Sequence, residues 1–209
     1  MPAELGSDGC QLLLASASPR RAEMLKLCGV SYRVVPAAID ESATAGEAPA
    51  AYVRRMALAK AEAGSSQSGR SVPVLAADTA VVIDDLILGK PRDLEDAKRM
   101  LGLLSGRWHE VYSGVAVMHL EADAISVRTR VKMRTVAVSE VDAYWRTGEP
   151  LDKAGSYAVQ GIGGAFIDRI DGSYSNVVGL PLVETLSLLN KYGVGHLLAG
   201  GGREPGKQA

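Results

Sequence analysis

Residues 74–91 read VLAADTAVVIDDLILGKP, and this stretch decides how the rest of the chain is arranged. The run from Val74 to Ile83 is apolar and rich in Val, Ala and Ile, the pattern of a strand buried on both faces. Asp84-Asp85 supplies a turn, and Leu86, Ile87 and Leu88 lead the chain back as the second arm of a hairpin. Inside the apolar run stands one carboxylate, Asp78. Burying it alone is costly, so it is paired, metal-bound or placed at a strand end that faces a cleft. The alternative is an Asp that caps or hydrogen-bonds a neighbouring loop. Gly89-Lys90-Pro91 then holds a lysine between rigidifying residues, and the hairpin puts Lys90 and Asp78 at the same end.

Working outward, Leu12 to Ala15 is a short apolar run before Ser18-Pro19, where Ser18 can cap a helix and Pro19 suits its first position. That helix passes through Met24, Leu25 and Leu27 and stops near Gly29. Residues 30–35 alternate as a strand does. A second helix follows Pro49 with Tyr52, Val53, Met56 and Ala59 on one face, and Lys60 in it reads equally as a snorkelling surface residue. Residues 64–71 (GSSQSGRS) read as a surface loop. Beyond the hairpin, a helix over 94–104 capped by Asp93 precedes two β-type segments, about 108–119 and 124–138. Ser139 caps a helix to about Thr147, a strand lies within 161–171, and Pro181 opens a last amphipathic helix to about Tyr192.

Helices and strands alternate at first and then strands run together, which predicts an α/β (α+β mixed) protein with a twisted mixed sheet. One domain over residues 10–198 is expected, with residues 1–9 and 199–209 as flexible tails.

The 209 residues are 47% hydrophobic, with 24 acids against 23 Lys plus Arg and a formal net charge of −1. Disorder would require fewer apolar residues, and a nucleic-acid polymer would call for a basic excess. Cys10 and Cys28 cannot build a disulfide framework and read as packing residues of a reducing compartment. No apolar run has the length of a membrane span, and the first residues lack the pattern of a signal peptide, so a cytoplasmic location away from membranes is expected.

Two further segments invite a ligand. Arg20 and Arg21 follow Ser18-Pro19 in a first helical turn, where the helix dipole favours acids. A bound anion would compensate that placement; otherwise the arginines simply extend into solvent. Residues 152–161 (DKAGSYAVQG) combine small residues, which allow close backbone approach, with Gln160, whose amide can read the imide edge of uracil or thymine. Other signatures fail: there is no Walker loop and no nucleophile elbow, and Gly161-Ile162-Gly163-Gly164 lacks the full dinucleotide fingerprint. His109, His119 and His196 have no metal-ligand spacing and read as structural or solvent-exposed.

The order of these segments resembles the Maf-type nucleoside triphosphate pyrophosphatases, also called septum-formation inhibitors. The resemblance runs from Leu12 to about Leu189. It rests on Ala15-Ser16-Ala17-Ser18-Pro19-Arg20-Arg21, Asp40-Glu41, Lys60-Ala61, Ala77-Asp78-Thr79, Gly89-Lys90-Pro91, Lys153-Ala154-Gly155-Ser156-Tyr157 and Val178-Gly179-Leu180-Pro181. It implies a sheet in two lobes around a deep cleft, similar to inosine triphosphatase, and hydrolysis of a nucleoside triphosphate between its α and β phosphates.

It implies further that Asp78 is the general base and that Glu41 and Asp78 hold a divalent cation, Mg2+ or Mn2+. Ser16, Ser18, Arg21, Lys60 and Lys90 would bind phosphate. Arg20, Thr79 and Gln160 match the branch that takes dTTP and UTP; the 7-methyl-GTP branch tends to have Trp, Gln and Glu there. A homodimer is implied too, with a role in clearing non-standard nucleotides or in cell division. Two other readings compete: a non-catalytic nucleotide-binding regulator of septum formation, and a phosphosugar or dinucleotide enzyme using the 161–164 glycines.

Overall fold

The computed structural model describes residues 9–68 and 72–199, and the hairpin read from the sequence stands at the middle of its sheet. The strands are β1 (Leu12–Leu14), β2 (Tyr32–Val34), β3 (Val74–Ile83), β4 (Leu86–Leu88), β5 (Trp108–Met118), β6 (Ala122–Met133) and β7 (Ile167–Asp171). The helices are α1 (Pro19–Leu27), α2 (Pro49–Ser68), α3 (Leu94–Leu104), α4 (Val138–Trp145), the short α5 (Tyr174–Val178) and α6 (Leu182–Lys191). The sheet runs β2-β1-β3-β5-β6-β7, with β4 also paired to β3. β1 is parallel to β2 and β3, and the remaining pairs are antiparallel, so the sheet is mixed as expected.

β3 explains why a cleft exists. One of its edges pairs with β5 from Val74 to Val82. Its other edge is shared: β1 pairs with Val74 and Leu75, and β4 pairs with Val81, Val82 and Ile83. Between these two partners the edge carries Ala76 to Ala80 without a strand beside it, so the sheet splits at Asp78 and Thr79. Alternation along β3 then sends Asp78 to the face covered by α2 and Thr79 to the opposite face.

The helix α2 lies against β3, β5 and β6. Val53, Met56, Ala57, Lys60 and Ala61 form its buried stripe at helical spacing. Gly114, the register partner of Asp78, makes the close approach possible: a Cβ there would stand 2.1 Å from the Val53 carbonyl oxygen. Separate apolar clusters form on the two sides of the split. Leu12, Leu14, Leu25, Leu75, Leu180 and Leu189 belong to one, and Val81, Leu88, Leu101, Leu104, Met133 and Phe166 to another.

Several local expectations need correction. The stretch from Gly64 to Ser68 is helix, because α2 stays packed on the sheet: a Cβ at Gly64 would come within 2.9 Å of the Ala15 Cβ and 3.0 Å of Val74 Cγ1. Residues 69–71 lie outside the described residues, as do the expected tails except Gly9 and Ala199. Ser18 occupies the N-cap of α1 but makes no side-chain cap; its amide donates to Ser16 Oγ at 3.3 Å. The N-cap of α4 is Ala137, not Ser139, because the Glu140 carboxylate folds back to accept from the Ala137 amide at 2.9 Å. The loop 172–181 contains α5, capped by Ser173 accepting from the Asn176 amide at 3.2 Å and closed by Gly179 at φ 119°.

Candidate active site

The split in the sheet opens into a cleft of ≈ 560 Å³ lined from both sides. Ser16, Ser18, Arg20, Arg21, Glu41, Lys60, Asp78, Thr79, Lys90 and Gln160 all line it, so residues scattered over most of the chain converge there.

On the α2 face, Lys60 Nζ lies 2.6 Å from Asp78 Oδ1 and 2.6 Å from Glu41 Oε1. Lys60 and Asp78 are each 8% exposed, so the lysine is not the snorkelling surface residue that its Ala-rich surroundings equally allowed. The reason is position: Lys60 falls on the inner stripe of α2, about two helical turns beyond the Gly114 crossing at Val53. Burial pushes the Glu41 carboxyl up, but the hydrogen bond and charge of Lys60, helped by Lys90 and Arg21, carry it below its usual range. Tyr52, which sequence reasoning placed only on a packing face, also lines the cleft. Its hydroxyl donates to the Glu41 carbonyl oxygen at 2.9 Å, and burial together with the Asp78 and Glu41 charges raises its pKa to about 12.

On the other face, Arg21 is held by a fork of protein contacts. Its Nε donates to the Gly179 carbonyl at 2.9 Å, Nη1 to Ser16 Oγ at 3.0 Å and Nη2 to Thr79 Oγ1 at 3.1 Å. Desolvation lowers the guanidinium pKa from its ordinary value, against the opposing pull of Asp78. Three of the five guanidinium N–H groups are therefore spent on orientation, and the rest can meet an anion. Ser16 Oγ accepts from both Arg21 and the Ser18 amide, which leaves its own hydrogen to donate into the cleft.

Arg20, Lys90 and Gln160 stand at more open positions of the lining. The loop carrying Gln160 is docked to the hairpin next to Lys90: the Gly155 amide donates to the Gly89 carbonyl at 3.0 Å. Gly155 has φ 68° and lies against Val81, where a Cβ would come within 2.8 Å. Asp152 and Lys153 form an ion pair at the rim. Burial works against the Asp152 carboxylate, while Lys153 and Arg20 bring its pKa below the usual range. Both lie in the segment 152–161 that the sequence marked for a ligand, although there only Gln160 was given a role of its own.

The glycines at 161–164 are accounted for without a cofactor. The Glu149 carboxylate accepts from the amides of Ile162 and Gly163, each at 2.9 Å, so two of this turn's donors are already taken. His109 is buried and shares a 2.7 Å hydrogen bond with the Tyr157 hydroxyl, a structural role as expected. Among the described residues no helix is long and apolar enough to cross a membrane.

Comparison with known proteins shows the family of this chain. A family model described as Maf-like protein matches residues 11–192. A dTTP/UTP pyrophosphatase of Pseudoalteromonas atlantica is 48% identical, the match covering 88% of this chain and 98% of that one. One of Vibrio cholerae is 48% identical over 87% and 98% of the two chains, and one of an Anaeromyxobacter strain 52% identical over 88% and 90%. The solved structure of the Staphylococcus aureus Ham1 protein superposes with a TM-score of 0.51 at 14% identity, covering 87% of this chain and 96% of that one. That last likeness is one of fold.

Proposed function

We propose the following activity for this chain, which belongs to the Maf-like protein family: it hydrolyses pyrimidine nucleoside triphosphates, dTTP and UTP, to the monophosphate and pyrophosphate. The observation that carries the reading is the convergence, in one split-sheet cleft, of a buried carboxylate with cations and hydroxyls from distant segments. The protein is a hydrolase of acid anhydrides in this reading, and it works as a cytoplasmic homodimer.

Asp78 accepts a proton from water as the water oxygen bonds to the α-phosphorus. The α–β bridging oxygen leaves with pyrophosphate. Arg21 and the Ser16 hydroxyl donate to phosphate oxygens, and Lys90 adds positive charge from the hairpin end. Gln160 reads the imide edge of the base, and Arg20 lines the same cleft.

Two carboxylates meeting at one ammonium form a hard-oxygen donor pair that fits a divalent cation, although no cluster of three or more metal-binding side chains exists among the described residues. Such an ion, held by Glu41 and Asp78, would neutralise triphosphate charge. Lys60, which lines the same cleft, would supply a further positive charge to the phosphates.

The test is product analysis on UTP, dTTP and GTP in Mg2+ or Mn2+. Pyrophosphate with UMP or dTMP, and poor use of GTP, is expected; orthophosphate as the product would overturn the assigned bond.

A further inference from the structure

Thr79 and Ser113 are register partners on β3 and β5, on the sheet face away from α2. Their hydroxyls lie 2.9 Å apart, and proton accounting fixes the direction of that bond. Ser113 Oγ also stands 3.0 Å from the Asn176 carbonyl oxygen, which can only accept. The single hydrogen of Ser113 is spent there, so Thr79 must donate to Ser113. Thr79 Oγ1 in turn accepts from Arg21 Nη2 at 3.1 Å. The relay therefore runs from Arg21 through Thr79 and Ser113 to the Asn176 carbonyl. Its far end is rigid, because the buried Asn176 side chain donates to the Val111 carbonyl and to Thr129 Oγ1, each at 3.0 Å.

The consequence is a polarity difference along the cleft. Ser16, on one side of Arg21, still has a hydrogen to give; Thr79, on the other, has none and offers only a lone pair. A phosphate oxygen is welcome at the first and repelled at the second.

We propose that Ser113, fully buried and outside the cleft lining, is a positioning residue for the hydrolytic reaction: it holds the Thr79 hydroxyl as an acceptor and thereby aims Arg21 at the substrate's phosphates. Without the Ser113 oxygen, nothing fixes the rotor of the Thr79 hydroxyl, and one of the three anchors of Arg21 loosens. The anchors at Ser16 and Gly179 remain, so α1 keeps its place while the fork loses its aim.

This inference rests on the nucleotide-hydrolase reading, and a kinetic cycle on the full chain tests it. Ser113→Ala should raise KM for UTP about 3- to 10-fold with kcat within about 2-fold, the effect of one lost neutral hydrogen bond. Thr79→Val should raise KM at least as much. The double variant should match Thr79→Val alone, because Ser113 reaches Arg21 only through Thr79. Fold-changes that multiply in the double variant, an unchanged KM in Ser113→Ala, or an effect confined to kcat would overturn the proposal. If Ser113→Ala does not fold, as judged by thermal melting, Ser113→Cys replaces it in the cycle with a weaker acceptor and the same criteria. Failure of the underlying reading looks different: the wild-type chain would release no pyrophosphate from UTP.

Discussion

Lys60 Nζ sits 2.6 Å from Asp78 Oδ1, and the same ammonium is shared at 2.6 Å with Glu41. The two partners of the lysine are not equivalent, since Asp78 is buried in the sheet and the Glu41 side chain is 49% exposed. Removing different members of this trio therefore has different consequences.

Asp78→Asn keeps the shape of the side chain and leaves Lys60 its ion pair with Glu41. The fold should survive with a loss below about 3 kcal/mol, the lower end for stranding a buried charge. Turnover of UTP should fall by at least about 100-fold if Asp78 is the general base. Steady-state pyrophosphate release beside a denaturant melt separates the two effects, and undiminished turnover would remove Asp78 from that role.

Lys60→Met leaves two carboxylates aimed at one position. Their mutual repulsion, no longer offset by the ammonium, should destabilise the variant relative to the wild type. Mg2+ or Mn2+ should raise its melting temperature more than that of the wild type. Thermal melting of both proteins, with and without the metal, reads this directly.

Gln160→Glu should weaken the use of dTTP and UTP, because an acceptor-only carboxylate cannot donate to a base carbonyl as the amide does. The ratio of kcat/KM for UTP over GTP is the measurement. An unchanged ratio would take base reading away from Gln160.

His109 gives a pH dependence unrelated to catalysis. Burial holds its pKa at about 4, against 6.5 for the ordinary imidazole. Between those values the unfolded chain binds the proton and the folded chain does not. Stability from this residue is complete above about pH 6.5 and is lost as the pH falls toward 4, by up to about 3 kcal/mol. Urea midpoints of wild type and His109→Gln across that window should converge as the pH drops.

Gly114→Ala should destabilise the fold by more than about 3 kcal/mol. The added Cβ would meet the Val53 carbonyl oxygen at 2.1 Å and its carbon at 2.4 Å, both backbone atoms that cannot rotate away. Lifting α2 to make room also draws Lys60 from Asp78, so activity should fall with stability in a parallel urea and turnover series.

The mixed fold, the β3–β4 hairpin and most strands and helices were legible because apolar periodicity and turn residues are local signals. The errors were readings of single residues overruled by the contacts those segments make. The polar stretch after Gly64 looked like a loop, yet packing of α2 against Ala15 and Val74 keeps it helical to Ser68. Ser139 had the chemistry of a cap, but the reach of Glu140 starts the helix at Val138 instead. Tyr52 was read only as a packing residue and Ser113 was not singled out, because each looks like an ordinary helix or strand residue until its neighbour across the fold is known.

What the sequence determined by itself was the inventory: an acid stranded in an apolar strand, arginines in a first helical turn, a lysine at a hairpin's return, and an order of segments shared with one family. The tertiary structure alone decided how those groups are partnered. Strand pairing leaves one edge of β3 open at Asp78 and Thr79, and the two-residue period of the strand sends them to opposite faces. Lys60 then meets Asp78 on one face, and Arg21, Thr79 and Ser113 form a directed relay on the other. Hydrogen bonds of about 3 Å depend on atoms far apart in the chain, and no local pattern of residues encodes that distance.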